Sequence, residues 1–410
     1  MRRRDFMHCS LCASAGWLLG CDAASPVDAG PRAEDAGVDA GPPPPTPDAG
    51  DGGGCADPFA GGAMIGLAPF GDVDVPLDTR RGEGWDGRLY TDLSTVRASE
   101  DVIDNDRFYL RTFYPDLLVP PDPWTITVSG LATETTISID DVRALAEPQG
   151  LHVLECSGNG RGGGFGLLSA AAWAGAPMTA VLDALDVDPA ATRVLVEGFD
   201  EHSVPSAGGH STPGASWIFT FDQLAEAGAF LATEMNGVPL PADHGAPVRL
   251  YVPGWYGCTC IKWVTAIRLV DDDAPATSQM LEFAGRTHQE GRPAMARDYQ
   301  PASMHQAAMP VRVEKWRAAD GELLYRVIGI LWGGQALTDR LQLVASGLPP
   351  VDVDVCPPMT TNQTWTVWQH PWRPGVVGAH PIDLVIDDPA IPTRRLDVGY
   401  YRRTVSIDEV

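Results

Sequence analysis

The sequence predicts an α+β domain followed by an all-β sandwich, and three observations carry that prediction. Between about 105 and 275, short helical patterns alternate with runs rich in β-branched and aromatic residues. After about 310 the helical patterns stop, and short strand-like runs recur with turn residues between them. The chain has 410 residues, 44% of them apolar, which suffices for two or three domains with large cores.

The N-terminal elements read as an address and a spacer. Arg3-Arg4-Asp5-Phe6-Met7 matches a twin-arginine export pattern, and the apolar region from His8 to Gly20 is too short to span a bilayer. That region ends in Leu18-Leu19-Gly20-Cys21, which resembles a lipobox and makes Cys21 a lipidated first residue; the alternative is an ordinary secretory signal. Residues 1–21 are therefore expected to be a signal for export to a periplasmic or cell-surface location. From 22 to 54, Asp-Ala-Gly recurs four times around four consecutive prolines, with seven acids and one arginine, so this segment is expected to be an extended, disordered tether.

Two domains follow, 55–305 and 306–410. In the first, strands are expected at 124–128, 151–154, 193–196, 217–221, 248–252 and 261–270, with helices from Asp140 to Ala146 and from Pro177 to Leu185, and a tight turn at Asn236-Gly237. The uncharged stretch 162–182 is interrupted by glycine, serine and proline and reads as a loop plus a buried helix, not a membrane span. In the second domain the strands are expected at 311–316, 325–331, 340–344, 365–368, 382–386 and 404–407, a spacing that suggests an immunoglobulin-like sandwich.

Charge narrows the partners. With Asp+Glu 54 against Lys+Arg 29, the formal charge is -25, which excludes nucleic acid and anionic membrane as the main partner and makes any anion site a local exception. Lys262 and Lys315 are the only lysines. Export permits disulfides, and the mature cysteines would be Cys55, Cys156, Cys258, Cys260 and Cys356 beyond the lipidated one. Cys258-Thr259-Cys260 is weak as a metal site, and structural disulfides are the expectation there.

Chemistry concentrates at Cys156. An apolar strand, 151–154, runs into Glu155-Cys156-Ser157-Gly158-Asn159-Gly160-Arg161, which sets a thiol at a strand end beside glycine-rich backbone and a cation. Such a thiolate suits a nucleophile or a soft metal ligand, and equally a buried cysteine in a turn. Cys156 to Arg161 is similar to a motif of the sulfite oxidase family of molybdopterin enzymes. A second stretch, from Met235-Asn236-Gly237-Val238-Pro239 through His244 and Arg249 to Val252-Pro253-Gly254 and Ile261-Lys262-Trp263, resembles the cofactor-binding block of the same family.

The resemblance implies a molybdopterin-binding catalytic domain followed by an immunoglobulin-like dimerisation domain, hence a homodimer. It implies Cys156 as the protein ligand to molybdenum, with His244, Arg249 and Lys262 holding molybdopterin and Asp200 touching it. At the substrate end it implies Arg111, in Phe108-Tyr109-Leu110-Arg111, together with Arg161 for the anion, and Tyr299, in Arg297-Asp298-Tyr299, as the active-site tyrosine. The implied reaction is oxidation of sulfite to sulfate by oxygen-atom transfer. A sulfoxide-type reductase is the variant within the family, and a lipid-anchored binding protein without turnover is the reading outside it. No Cys-x-x-Cys-His haem attachment occurs, so electrons are expected to pass to an external acceptor such as a c-type cytochrome. Three features depart from the family pattern: the pocket tryptophan is missing until Trp173, Thr112 replaces an asparagine, and no Trp-Asn-x-Arg-Gly segment supplies a further substrate arginine.

Overall fold

A computed structural model describes residues 57–410 except 99–101, 117, 131–133, 186, 189, 201–213 and 347–348. The expected signal, 1–21, and tether, 22–54, lie outside the described residues, as does Cys55. No helix among the described residues is long and apolar enough to cross a membrane.

The first expected domain is built on two five-stranded sheets. One runs Arg249–Tyr251, Phe230–Met235, Leu168–Pro177, Glu147–Glu155, all antiparallel, with Val238–Pro239 folded back on Phe230–Met235. The turn between those last two strands is Asn236-Gly237, and both residues have positive φ, as that tight hairpin requires. The other sheet runs Thr135–Ser138, Thr125–Ser129, Val264–Val270, Arg193–Gly198, Ser216–Thr220, with one parallel pair, Val264–Val270 on Thr125–Ser129.

Local expectation and structure part company in three places. The stretch read as a loop before a helix contains the ten-residue strand Leu168–Pro177, and the helix itself is only Met178–Asp183. This strand has neighbours on both edges and almost no exposed position, so the polar alternation that marks a strand is missing. The helix expected from Asp140 is capped instead by Ser138, whose hydroxyl accepts from Asp141 N while the Asp141 carboxylate accepts from Ser138 N. The third is Cys258 and Cys260. They are free, buried thiols and not disulfide partners, whereas Cys356 is disulfide-bonded.

After residue 306 all the expected strands are present, in two four-stranded antiparallel sheets. One orders Ala63–Ala68, Ala307–Arg317, Leu323–Trp332, Thr366–Trp372, and the other Val351–Val353, Leu341–Ala345, Gly378–Ile386, Arg403–Ile407. Ala63–Ala68 comes from the N-terminal side of the expected boundary at 305/306 yet pairs with Ala307–Arg317. The sheet containing it holds a buried ion cluster, Arg312 Nε to Glu314 Oε1 at 2.8 Å and Arg326 Nε to Glu314 Oε2 at 3.2 Å, with Arg326 lying over the Trp316 ring. Such a charge cluster is tolerated in a core because one carboxylate oxygen accepts from Arg312 Nε and the other from Trp316 Nε1 at 2.8 Å, beside the Arg326 charge.

Candidate active site

Cys156 follows immediately after the Glu147–Glu155 strand, 4% exposed. Its amide donates to Leu167 O at 3.0 Å, its carbonyl accepts from Asn159 N at 2.8 Å, and its Sγ accepts from Gly158 N at 3.4 Å. The Asn159 side-chain oxygen accepts from Leu167 N at 3.0 Å and closes the turn. The turn thus fixes the position of the sulfur, and a cysteine sulfur is the residue type that a soft metal takes as ligand.

A cleft of about 830 Å³, open at its mouth, brings Cys156 together with Arg111, Asp200, His244, Arg249 and Lys262. Its cations are Arg111, at the edge it shares with a second cleft, and the close pair Arg249 and Lys262. The Arg249 guanidinium donates to the carbonyls of His244 and Cys260, both at 3.1 Å, while its buried Nε has no hydrogen-bond partner. Lys262 Nζ donates to Thr112 O at 2.6 Å and Asp243 O at 2.9 Å and lies over the Trp263 ring. Burial, then the Arg249 charge, push the Lys262 ammonium down to about 7. Two cations confined together, one with an unused buried donor, make a site that an anionic group such as a phosphate would complete. Gly245 between them has φ 114°, and a Cβ there would stand 2.9 Å from Arg249 Cβ, so only glycine lets the cradle close.

The polar residues of the cleft have distinct capacities. His244 is pushed down to about 3 by burial, so it stays neutral; its Nε2 donates to Asn105 O at 2.8 Å, leaving Nδ1 as an acceptor. It therefore suits a ring N–H better than a phosphate oxygen. Asp200, raised to about 7 by burial, accepts from Ala215 N at 3.2 Å. Glu282 lines the same cleft with a buried, unpartnered Oε2, a further acceptor for an N–H-rich ring.

A second cleft, about 1050 Å³, adjoins the first at Arg111, which lines both. It is walled by Ser157 and Gly158 of the cysteine turn and by Arg286, His288, Arg394, Arg395 and Tyr400. No carboxylate lines it. His288 stacks on His305 with ring centroids 4.3 Å apart, and burial followed by the charges of His305, Arg395 and Arg394 pushes it down to about 4. In a chain of net charge -25 this concentration of cations is the local exception that an anion site demands.

Two residues expected in the site lie elsewhere. Arg161 is exposed, and its guanidinium donates to Arg402 O at 3.4 Å. Tyr299 is 7% exposed, packs edge-on against Trp217 after the Ala296–Asp298 turn, and its buried hydroxyl has no hydrogen-bond partner. Neither lines either cleft. The cations the sequence reading missed, Arg286, Arg394 and Arg395, sit in unremarkable contexts, Gly285-Arg286-Thr287 and Thr393-Arg394-Arg395. The tyrosine beside the cysteine turn is Tyr400, whose hydroxyl donates to Asn159 O. These residues belong to segments more than 120 positions beyond Cys156, so no local pattern announces them.

Comparison with known proteins agrees with this geometry. A family described as "Oxidoreductase molybdopterin binding domain" matches residues 114–278, which include Cys156, Asp200, His244, Arg249 and Lys262. Mitochondrial sulfite oxidase of Drosophila melanogaster is 30% identical over 201 residues, 46% of this chain and 34% of that protein. Its Homo sapiens counterpart is 30% identical over 200 residues, 45% of this chain and 36% of that protein. The catalytic subunit MsrP of a protein-methionine-sulfoxide reductase of Gluconobacter oxydans is 26% identical over 231 residues, 52% of this chain and 69% of that one. The chain thus spans about a third of the length of these sulfite oxidases. Among solved structures, the sulfane dehydrogenase SoxCD of Paracoccus pantotrophus shares the fold, with a TM-score of 0.56 at 15% identity over 89% of this chain and 97% of that one. Residues 114–278 thus match an oxidoreductase molybdopterin binding domain, and over that region the chain is similar to sulfite oxidases and to MsrP.

Proposed function

We propose that the protein oxidises a small anionic sulfur compound, sulfite in the first instance, to its oxygenated product. The balanced step is sulfite plus water giving sulfate, two protons and two electrons, and the electrons pass to a separate acceptor of the c-type cytochrome class. The observation that carries this reading is the arginine-rich, carboxylate-free cleft that meets the cofactor cleft at Arg111, one residue away from Cys156 at Ser157. When bound, the molybdenum cofactor supplies the oxygen-transfer and two-electron chemistry. Cys156 would be its protein ligand. Arg249 and Lys262 would hold the anionic end of the pterin, and the acceptors on His244, Asp200 and Glu282 would face its N–H groups. Arg111, Arg286 and Arg394 would orient the substrate through charge-assisted hydrogen bonds and neutralise the charge it brings into the cleft. The relation to MsrP keeps a sulfoxide reductase in view. A neutral sulfoxide, however, would leave several cations in the cleft without counter-charge, which favours the anion.

The chain's setting belongs to the same reading. The twin-arginine pattern supports export after folding, which suits a cofactor inserted beforehand, and Cys21 followed by the acidic tether supports a lipid-anchored periplasmic or surface protein. The two antiparallel sheets after residue 306 support an immunoglobulin-like module used for homodimerisation. The test is steady-state turnover of sulfite with a cytochrome c or ferricyanide as acceptor, on protein whose molybdenum has been quantified. One molybdenum per chain and sulfite-dependent acceptor reduction are expected; loaded protein that ignores sulfite but reduces a sulfoxide would overturn the substrate assignment.

A further inference from the structure

Although Arg395 lines the cationic cleft, its hydrogen bonds run away from it. Nη1 donates to Glu155 Oε1 at 3.3 Å, and Nη2 donates to Ser157 O at 2.6 Å and Arg286 O at 3.1 Å. One guanidinium therefore holds the residues on both sides of Cys156. The Glu155 carboxylate, 1% exposed, also accepts from Tyr401 Oη at 2.7 Å, Trp332 Nε1 at 3.1 Å and Asn159 Nδ2 at 3.4 Å. The same side of the turn is gripped further on, where Tyr400 Oη donates to Asn159 O and Arg161 donates to Arg402 O. Every second residue from 155 to 161 is thus bonded to the polypeptide beyond residue 330, while Cys156 between them lines the cofactor cleft.

We infer that Arg395 and Glu155 form a clamp, supplied across the junction by the C-terminal part of the chain, that positions the Cys156 sulfur, so that Arg395 is a positioning residue and not a substrate-binding one. The argument is one of valence and rigidity. A guanidinium has five N–H donors in a fixed plane, and those that the structure pairs go to one carboxylate, two carbonyls and the Tyr401 hydroxyl of the protein. Its face is covered by Tyr256 at 4.6 Å and Tyr400 at 5.0 Å. A guanidinium held in this way cannot turn to an incoming anion without leaving the buried Glu155 carboxylate without its counter-charge. The inference rests on the reading of Cys156 as the cofactor's ligand, but its first test does not need the cofactor.

That test compares the full-length wild type, Arg395→Lys, Glu155→Gln and the milder Tyr401→Phe, all produced without cofactor, by the rate at which iodoacetamide labels Cys156. Cys258 and Cys260 in the same peptide maps serve as references. Loss of one charge-assisted bond should raise the population of the opened turn and the labelling of Cys156 about tenfold or more, with the two reference thiols unchanged. In loaded enzyme, the same variants should lower kcat and the number of sulfur neighbours seen by molybdenum X-ray absorption while leaving the KM for sulfite in place. The double variant Glu155→Gln with Arg395→Gln should recover part of the loss, because neither charge is then left alone. Unchanged labelling in all three single variants overturns the clamp. So does an Arg395→Lys enzyme with raised KM, unaltered kcat and unaltered labelling, which would make Arg395 a substrate arginine. Failure of wild-type protein to hold molybdenum would sink the functional reading instead, with the labelling result standing apart from it.

Discussion

Arg111→Met puts the substrate assignment at risk most directly. Arg111 stands where the two clefts meet, half-buried, and its carbonyl accepts from Arg88, whose own guanidinium is pushed down to about 10 by burial and then by the Arg111 charge. Methionine keeps the length of the side chain and removes the charge. A charge-assisted hydrogen bond from a group shielded in this way contributes about 1.5–3 kcal/mol. Its loss should raise the KM for sulfite by about ten- to a hundredfold. Arg286 and Arg394 line the same cleft but are exposed, so each should contribute only about 0.2–1 kcal/mol, a few-fold in KM. Their effects should also shrink as salt is raised from low to physiological strength, whereas that of Arg111 should persist. Arg161→Met serves as the control, since Arg161 lies outside both clefts. The assay is steady-state sulfite oxidation at several ionic strengths, normalised to molybdenum content. An Arg111→Met enzyme with wild-type KM, alongside an Arg161→Met enzyme that has lost its affinity, would refute the placement of the anion cleft.

Three more outcomes are expected. In cofactor-free protein, Asp200 keeps a proton up to about pH 7 that the unfolded chain loses near 4, so its contribution to stability falls as pH rises from 4 to 7. Lys262 is neutral above about 7 while the unfolded chain holds its proton to about 10.5, so stability rises again above 7. Thermal melts across pH should show this minimum near neutrality, and Lys262→Met should remove the rise on its alkaline side. Denatured, unreduced protein treated with iodoacetamide should carry label on Cys156, Cys258 and Cys260 and none on Cys356, as peptide mass mapping will read. Tyr299→Phe deletes a buried hydroxyl that has no partner, so it should leave turnover intact and hold or raise stability by up to about 1 kcal/mol; a large fall in kcat would return Tyr299 to the site.

The sequence by itself determined what depends on neighbours along the chain. The apolar strand running into Cys156, the Asn236-Gly237 hairpin and Lys262, one of only two lysines, in its Ile-Lys-Trp context are local patterns, and the structure places Cys156, His244, Arg249, Lys262, Asp200 and Arg111 around one cleft. The strands after 306 were legible for the same reason, since each short run is bounded by its own turn residues. Tertiary structure decided the rest. Leu168–Pro177 could not be read as a strand because burial on all sides erases the two-residue alternation that reports one. Ala63–Ala68 left its sequence neighbours because its open partner was the edge of Ala307–Arg317, a pairing that no periodicity encodes. Arg286, Arg394 and Arg395 acquired their roles only when two remote segments met beside the cysteine turn. An arginine in isolated sequence is most simply a solvated surface charge, and it becomes a site residue only when folding removes the water around it and supplies its acceptors.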